Sequence, residues 1–152
     1  MAPSAQETAE RLARSAVLRV APEEEEIFDL VSAAYRRDPQ RLTAGAGRDE
    51  MLGFGVDDAM TLLTPVVLGA AAEVVRYLAV EAAGALEVRS RLRRVFRRRD
   101  ARRAVPATPA LDPARRAAVR TIVLEKCRQA GVEPDRAELV ADAVVGALGS
   151  AD

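Results

Sequence analysis

Histidine and tryptophan are missing from this 152-residue chain, cysteine occurs once, and two tyrosines and three phenylalanines are its whole aromatic complement. Without imidazole there is no side chain that titrates near neutrality unaided, and no nitrogen ligand of the kind transition-metal sites favour. The single thiol, Cys127, can neither close an internal disulfide nor build a multi-cysteine zinc site. Many familiar active-site plans are thereby removed, and no cofactor is expected. Phe28, Tyr35, Phe54, Tyr77 and Phe96 are too few to stack a sheet core with large rings. A core of Leu, Val, Ile and abundant Ala favours closely approached helices instead.

Charge of one sign is also not in excess overall. The 23 basic residues equal the 23 acidic ones, so the chain does not have the composition of a generally basic nucleic-acid binder. Lys126 is the only lysine, and this together with abundant alanine follows from GC-rich codon usage as readily as from phosphate recognition. What stands out is local. Residues 87–103, EVRSRLRRVFRRRDARR, hold nine arginines and two acids directly after the least polar stretch of the chain. Read as a helix, the segment lines up Val88, Leu92, Val95 and Phe96 at offsets of four, seven and eight. Leu92, Val95 and Phe96 form a packing or insertion edge, while Arg89, Arg91, Arg94, Arg98 and Arg102 form the candidate surface for an anionic partner. An ordinary amphipathic helix with solvated or internally paired arginines is the plain structural reading of the same pattern.

Along the chain the signals are helical. Ser4 followed by Glu7 is a capping-box pattern that opens a first helix with apolar positions at Ala9, Leu12, Ala13 and Ala16, although its closing VLRV would also suit a short strand. Pro22 and the acidic run 23–26 fit a second helix start, the glutamates complementing the positive end of the peptide dipole. Ile27, Phe28, Val31, Ala34 and Tyr35 continue with helical spacing until Asp38-Pro39. Residues 42–55, LTAGAGRDEMLGFG, carry four glycines and read as a loop that Met51, Leu52 and Phe54 pack against the core. They match neither a phosphate-binding loop nor a dinucleotide fingerprint.

From Asp57 the chain reads as one long alanine-rich helix, with Pro65 kinking it or starting its main section. Glu73, Arg76 and Glu81 interrupt the apolar run before it reaches the length of a standard membrane span, so a core or assembly helix is the better reading. Val74, Val75, Leu78, Ala79 and Ala82 are its candidate assembly positions. Pro106 and Pro109 mark residues 104–110 as a linker between a helical region 1–103 and a C-terminal piece 111–150. Asp112-Pro113 and Glu133-Pro134 supply two helix starts there, with Gly131 between them. Val119, Ile122, Val123 and Cys127 on one helix face Ala137, Val140, Ala141, Val144 and Leu148 on the next, as an antiparallel hairpin.

Chemistry-bearing residues are plentiful but unorganised. Asp57 and Asp58 sit at a helix start, Glu73 and Arg76 are placed for a same-face ion pair, and Cys127 reads as a small buried residue. The expected fold is all-α, a small helical bundle with a long central alanine-rich helix and a C-terminal hairpin. The expected function is a non-enzymatic interaction or scaffold role, in which the chain self-associates and presents its arginines to an anionic partner, an acidic protein surface among the candidates. A peripheral adaptor on an anionic membrane is the first alternative, and a nonspecific nucleic-acid-binding accessory protein the second. Neither a signal peptide nor a lipid-attachment motif is apparent, which gives a cytoplasmic expectation, with attachment to the inner face of the membrane under the adaptor reading.

Overall fold

The computed structural model describes residues 3–43, 62–95 and 111–150. All regular structure among them is helical: α1 (Ala5–Val20), a 3-10 turn (Pro22–Glu24), α2 (Glu25–Arg37), a single turn α3 (Pro39–Thr43), α4 (Leu63–Val95), α5 (Pro113–Gln129) and α6 (Pro134–Gly149). The expected all-α bundle with a long central helix is the observed architecture. Of the loop expected over 42–55, Leu42 and Thr43 belong to α3 instead; residues 44–55, the helix start expected at Asp57 and the linker 104–110 lie outside the described residues.

Local sequence sets most of the helix ends. The Ser4 hydroxyl accepts from the Glu7 amide at 3.2 Å while the Ser4 amide donates to the Glu7 carboxylate at 2.7 Å, which completes the capping box. Asp112 caps α5 through the Arg115 amide at 2.8 Å, and Pro113 occupies the first helical position, where its missing N–H costs nothing. At the other end of α5 the chain turns through Gly131 at φ 72, a backbone conformation that a β-carbon disfavours. The Val132 amide donates back to the Cys127 carbonyl at 2.9 Å and the Gly131 amide to that of Arg128 at 3.1 Å. This pair of bonds closes the helix and sends α6 back along α5. The VLRV segment remains helical through Val20.

Four helices close a ring: α1 packs on α4 and α6, and α5 packs on the same two from the opposite side. α2 lies outside the ring against α4 and α1. The largest fully buried side chains are Leu63, Val17, Val67, Val74, Val119, Val123, Val140 and Val144, with Thr64, Pro65 and Cys127 among them. Ala13, Ala16, Ala70, Ala71 and Ala141 fill the space between, all at 0 % exposure. Phe28, at 2 % exposure, is the one buried aromatic among the described residues. The C-terminal hairpin therefore contributes Val119, Val123, Cys127, Val140 and Val144 to one continuous core with α1 and α4. Arg120 on α5 reaches both Glu138 and Asp142, one turn apart on α6, and fixes the pairing from the solvent side.

The acidic run 23–26 works differently from its local reading. Glu24 is buried and points across the fold to the start of α4. Its carboxylate accepts from the Leu63 amide at 2.8 Å, the Thr64 amide at 2.7 Å and the Thr64 hydroxyl at 2.7 Å. Pro65 follows as the third helical residue and has no amide to satisfy. The first turn of the longest helix is thus capped by a side chain from the turn after α1, with the negative charge at the positive end of the helix dipole. Glu23 also reaches outward, to Arg136 on α6 at 3.8 Å, and only Glu25 and Glu26 remain in the first turn of α2.

Removing the Glu24 carboxylate strands two buried amides and a hydroxyl. Glu24→Ala is expected to lower unfolding free energy by roughly 3 kcal/mol, with Glu24→Gln intermediate because it keeps one acceptor oxygen. Urea denaturation followed by circular dichroism reads both, and a Glu24→Ala protein as stable as wild type would remove the cap from its central place.

Candidate interaction surface

The surface of interest begins where α4 leaves the bundle. From Leu63 to Ala71, and again at Val74, its residues are buried; Val75, Tyr77 and Leu78 are partly buried against the core. From Ala79 through Arg91 every residue is exposed. At 1.5 Å per residue the helix runs roughly 25 Å beyond Leu78 to its end at Val95.

This arm is helical for ordinary local reasons. Ala79, Ala82, Ala83, Ala85 and Leu86 are strong helix formers, and Glu87 pairs with Arg91 one turn on at 2.7 Å. The Ser90 hydroxyl donates to the Glu87 carbonyl at 2.8 Å. Against them stands Gly84, with open space where a β-carbon would be. Its substitution by alanine meets no steric obstacle, and a glycine in an exposed helix costs about 1 kcal/mol. An isolated helix of this length is marginal in water. Its continuation from the anchored half of α4 removes the nucleation step, because the turns below are already formed.

The arm is also unusually apolar for a solvated element. Val80 and Leu86 are 66 % exposed and Val88 57 %, on three different sides of the helix. Together with the buried half this makes Leu63–Arg91 long and apolar enough to cross a membrane by length and composition, at a mean hydropathy of 1.5. Of the most apolar window, however, 56 % is buried inside the protein. The exposed apolar portion, residues 79–88, spans only about 15 Å, half the thickness of a bilayer core.

The structure distributes the sequence-derived residues unevenly. Arg89 and Arg91 are exposed near the end of the arm, with Arg91 held by Glu87. Leu92, Arg94 and Val95 occupy the last turn of the α4 backbone, and Phe96, Arg98 and Arg102 lie outside the described residues. Of the assembly positions, Val74 is fully enclosed in the protein's own core, Val75 and Leu78 line its edge, and Ala79 and Ala82 are open to solvent. The face available to another molecule starts at Leu78.

The expected Glu73–Arg76 pair is present at 3.4 Å, but a closer partner of Glu73 is Lys126 on α5 at 3.0 Å. The single lysine of the chain therefore fastens α4 to α5 just below the arm. Beside this pair a cleft of about 520 Å³ opens between α2, α4 and α5, bordered by Tyr35, Gly69, Glu73, Arg76 and Gln129. Burial pushes the Tyr35 phenol above its ordinary value of 10.0, with Lys126 opposing the shift and Glu73 adding to it. Glu73 in the cleft pairs with both Arg76 and Lys126, an arrangement that holds α4 to α5. Among the described residues no three His, Cys, Asp or Glu side chains gather as a metal-binding group. Sequence reasoning had no signal for Lys126 at this place, since the residue is remote from Glu73 along the chain.

No protein-family model, curated protein or solved structure matches this chain. The fold and surface by themselves define a small helical bundle with one helix extended beyond its own core.

Cys127 is fully buried on α5, and desolvation pushes its thiol from 9.0 to about 11. It is expected to resist alkylation at pH 8 in the native protein and to react at once in denaturant. Because the folded state keeps the proton that the unfolded chain gives up near pH 9, folding stability is expected to fall as pH rises from about 9 to 11. Timed iodoacetamide labelling with mass detection checks the first point, and denaturation midpoints between pH 8 and 11 check the second.

Proposed function

We propose that the protein is a non-enzymatic helical interaction module: the bundle is a fixed base, the arm of α4 carries self-association, and the arginine-rich segment that follows it presents positive charge to an anionic partner. The observation that carries this reading is the exposure of every residue from Ala79 to Arg91 on a helix whose other half is locked in the core. A solvated apolar helix is a cost to the free chain unless another molecule covers it. Arginine is suited to what lies beyond, since its planar fork pairs with carboxylates and phosphates and its long stem lies along apolar surface.

An acidic protein surface is the favoured partner because it uses both features, apolar contact along the arm and ion pairing at its end. Anionic membrane and nucleic acid share the charge requirement. The arm's apolar residues surround the helix instead of occupying one side, which suits helix packing better than lying in a headgroup layer. An aromatic platform for bases is lacking as well.

Reversal of Arg89, Arg91 and Arg94 to glutamate is expected to weaken binding to an acidic polypeptide such as polyglutamate at least tenfold at low salt, with circular dichroism unchanged. Vesicles with and without anionic lipid and an unrelated DNA duplex form the comparison arms. Equal binding by the reversed variant would overturn the charge reading, while preference for anionic vesicles or for DNA would transfer it to those partners.

A further inference from the structure

The exposed arm carries two opposite charges on one side that a second copy of itself would satisfy. Leu63, Val67, Ala70 and Val74 mark the side of α4 that faces the core, and all are buried. Followed up the helix at spacings of three and four, this side continues through Leu78, Glu81, Ala85, Val88 and Leu92. The same stripe that builds the core therefore runs on past it, and its residues from Glu81 to Val88 are exposed.

Two opposite charges flank the middle of that stripe. Glu81 lies four residues before Ala85 and Arg89 four residues after, displaced to opposite sides of it by the helical twist. Both are exposed, and among the described residues neither belongs to an ion pair. About 12 Å of helix separates them, too far for them to meet each other. We infer that the arm forms an antiparallel homodimer about a two-fold axis at Ala85, in which Glu81 of each chain meets Arg89 of the partner subunit. The same axis brings Ala82 level with Val88 of the partner subunit, on opposite flanks of the contact. Only small side chains, Ala85 from both copies, meet on the axis, so the helices approach closely there.

The alternatives fit this face less well. A parallel pair in register would stack Glu81 on Glu81 and bring the arginines of the two ends together, like charge against like. A membrane would have to accept the unpaired Glu81 at the centre of the apolar stretch. In the antiparallel arrangement residues 78–92 of the two chains overlap over roughly 21 Å. That overlap is short for a specific interface, so dimerisation is expected in the micromolar range.

The inference rests on the self-association part of the proposed function and fixes its geometry. Sedimentation of the full-length protein over a concentration series is the test. Glu81→Arg and Arg89→Glu are each expected to raise the dimer dissociation constant at least tenfold, and the double variant Glu81→Arg/Arg89→Glu to restore it to within about threefold of wild type. Every altered residue is solvent-exposed in the single chain, so folding is not at stake. Mild oxidation adds the register: Ala85→Cys is expected to cross-link to itself and Val88→Cys is not. A wild-type monomer at all concentrations, single variants that dimerise normally, or a double variant that stays monomeric would each overturn the arrangement. So would self-linking at Val88→Cys without linking at Ala85→Cys, and so would a monomer that binds neutral vesicles through the arm. A dimer that passes these tests yet ignores polyglutamate, anionic vesicles and DNA would leave the geometry standing and remove only the anionic-partner reading.

Discussion

Glu24 holds the two halves of the molecule to one another. Its carboxylate receives three hydrogen bonds at the first turn of α4, each between 2.7 and 2.8 Å, from a position in the turn that ends α1. A buried carboxylate is unfavourable unless its lone pairs are met, and the free amides at a buried helix start are unfavourable for the same reason. Each deficit is relieved by the other. Because α4 touches α1, α2 and α5, the placement of its start decides where the other helices dock. The register in which its apolar side meets the core follows from that one attachment.

The core that α4 enters is made of small pieces. Valines and alanines predominate, each burying little area, so cohesion comes from close approach and not from large side chains. Valine gives up rotamer freedom in a helix, and its helices here depend on tertiary contacts more than on intrinsic preference. Ion pairs then tie particular neighbours at the rim: Arg120 with Glu138 and Asp142, Lys126 with Glu73, and Arg14 with Asp29 while its guanidinium also covers the Phe28 ring at 4.5 Å. These contacts are partly solvated, and their value lies in orientation more than in stability.

Much of this was legible in the sequence because much of it is local. The capping box at Ser4 and Glu7, the Asp112-Pro113 start, Gly131 and the facing stripes of α5 and α6 all depend on residues within a turn or two of each other. Glu24 was not legible. Its partners are 39 and 40 residues away, and its neighbours Glu23, Glu25 and Glu26 give it the look of an ordinary helix start. The division of α4 into a buried half and an exposed half was hidden for another reason. Ala70 and Ala71 are wholly enclosed whereas Ala82 and Ala83 are open, and composition does not distinguish them. What separates the two is the length of the neighbouring helices, which end before α4 does. The candidate surface was found in the sequence by its charge, and its apolar approach only by its exposure.

The Lys126–Glu73 pair lies at the height where α4 loses its neighbours. In mechanical terms the helix is a beam clamped along its lower half, and this pair with Val75 and Leu78 sits at the mouth of the clamp. A load on the free end produces its greatest bending moment there, so small changes in these few side chains alter the direction of the arm while leaving the clamped portion unchanged.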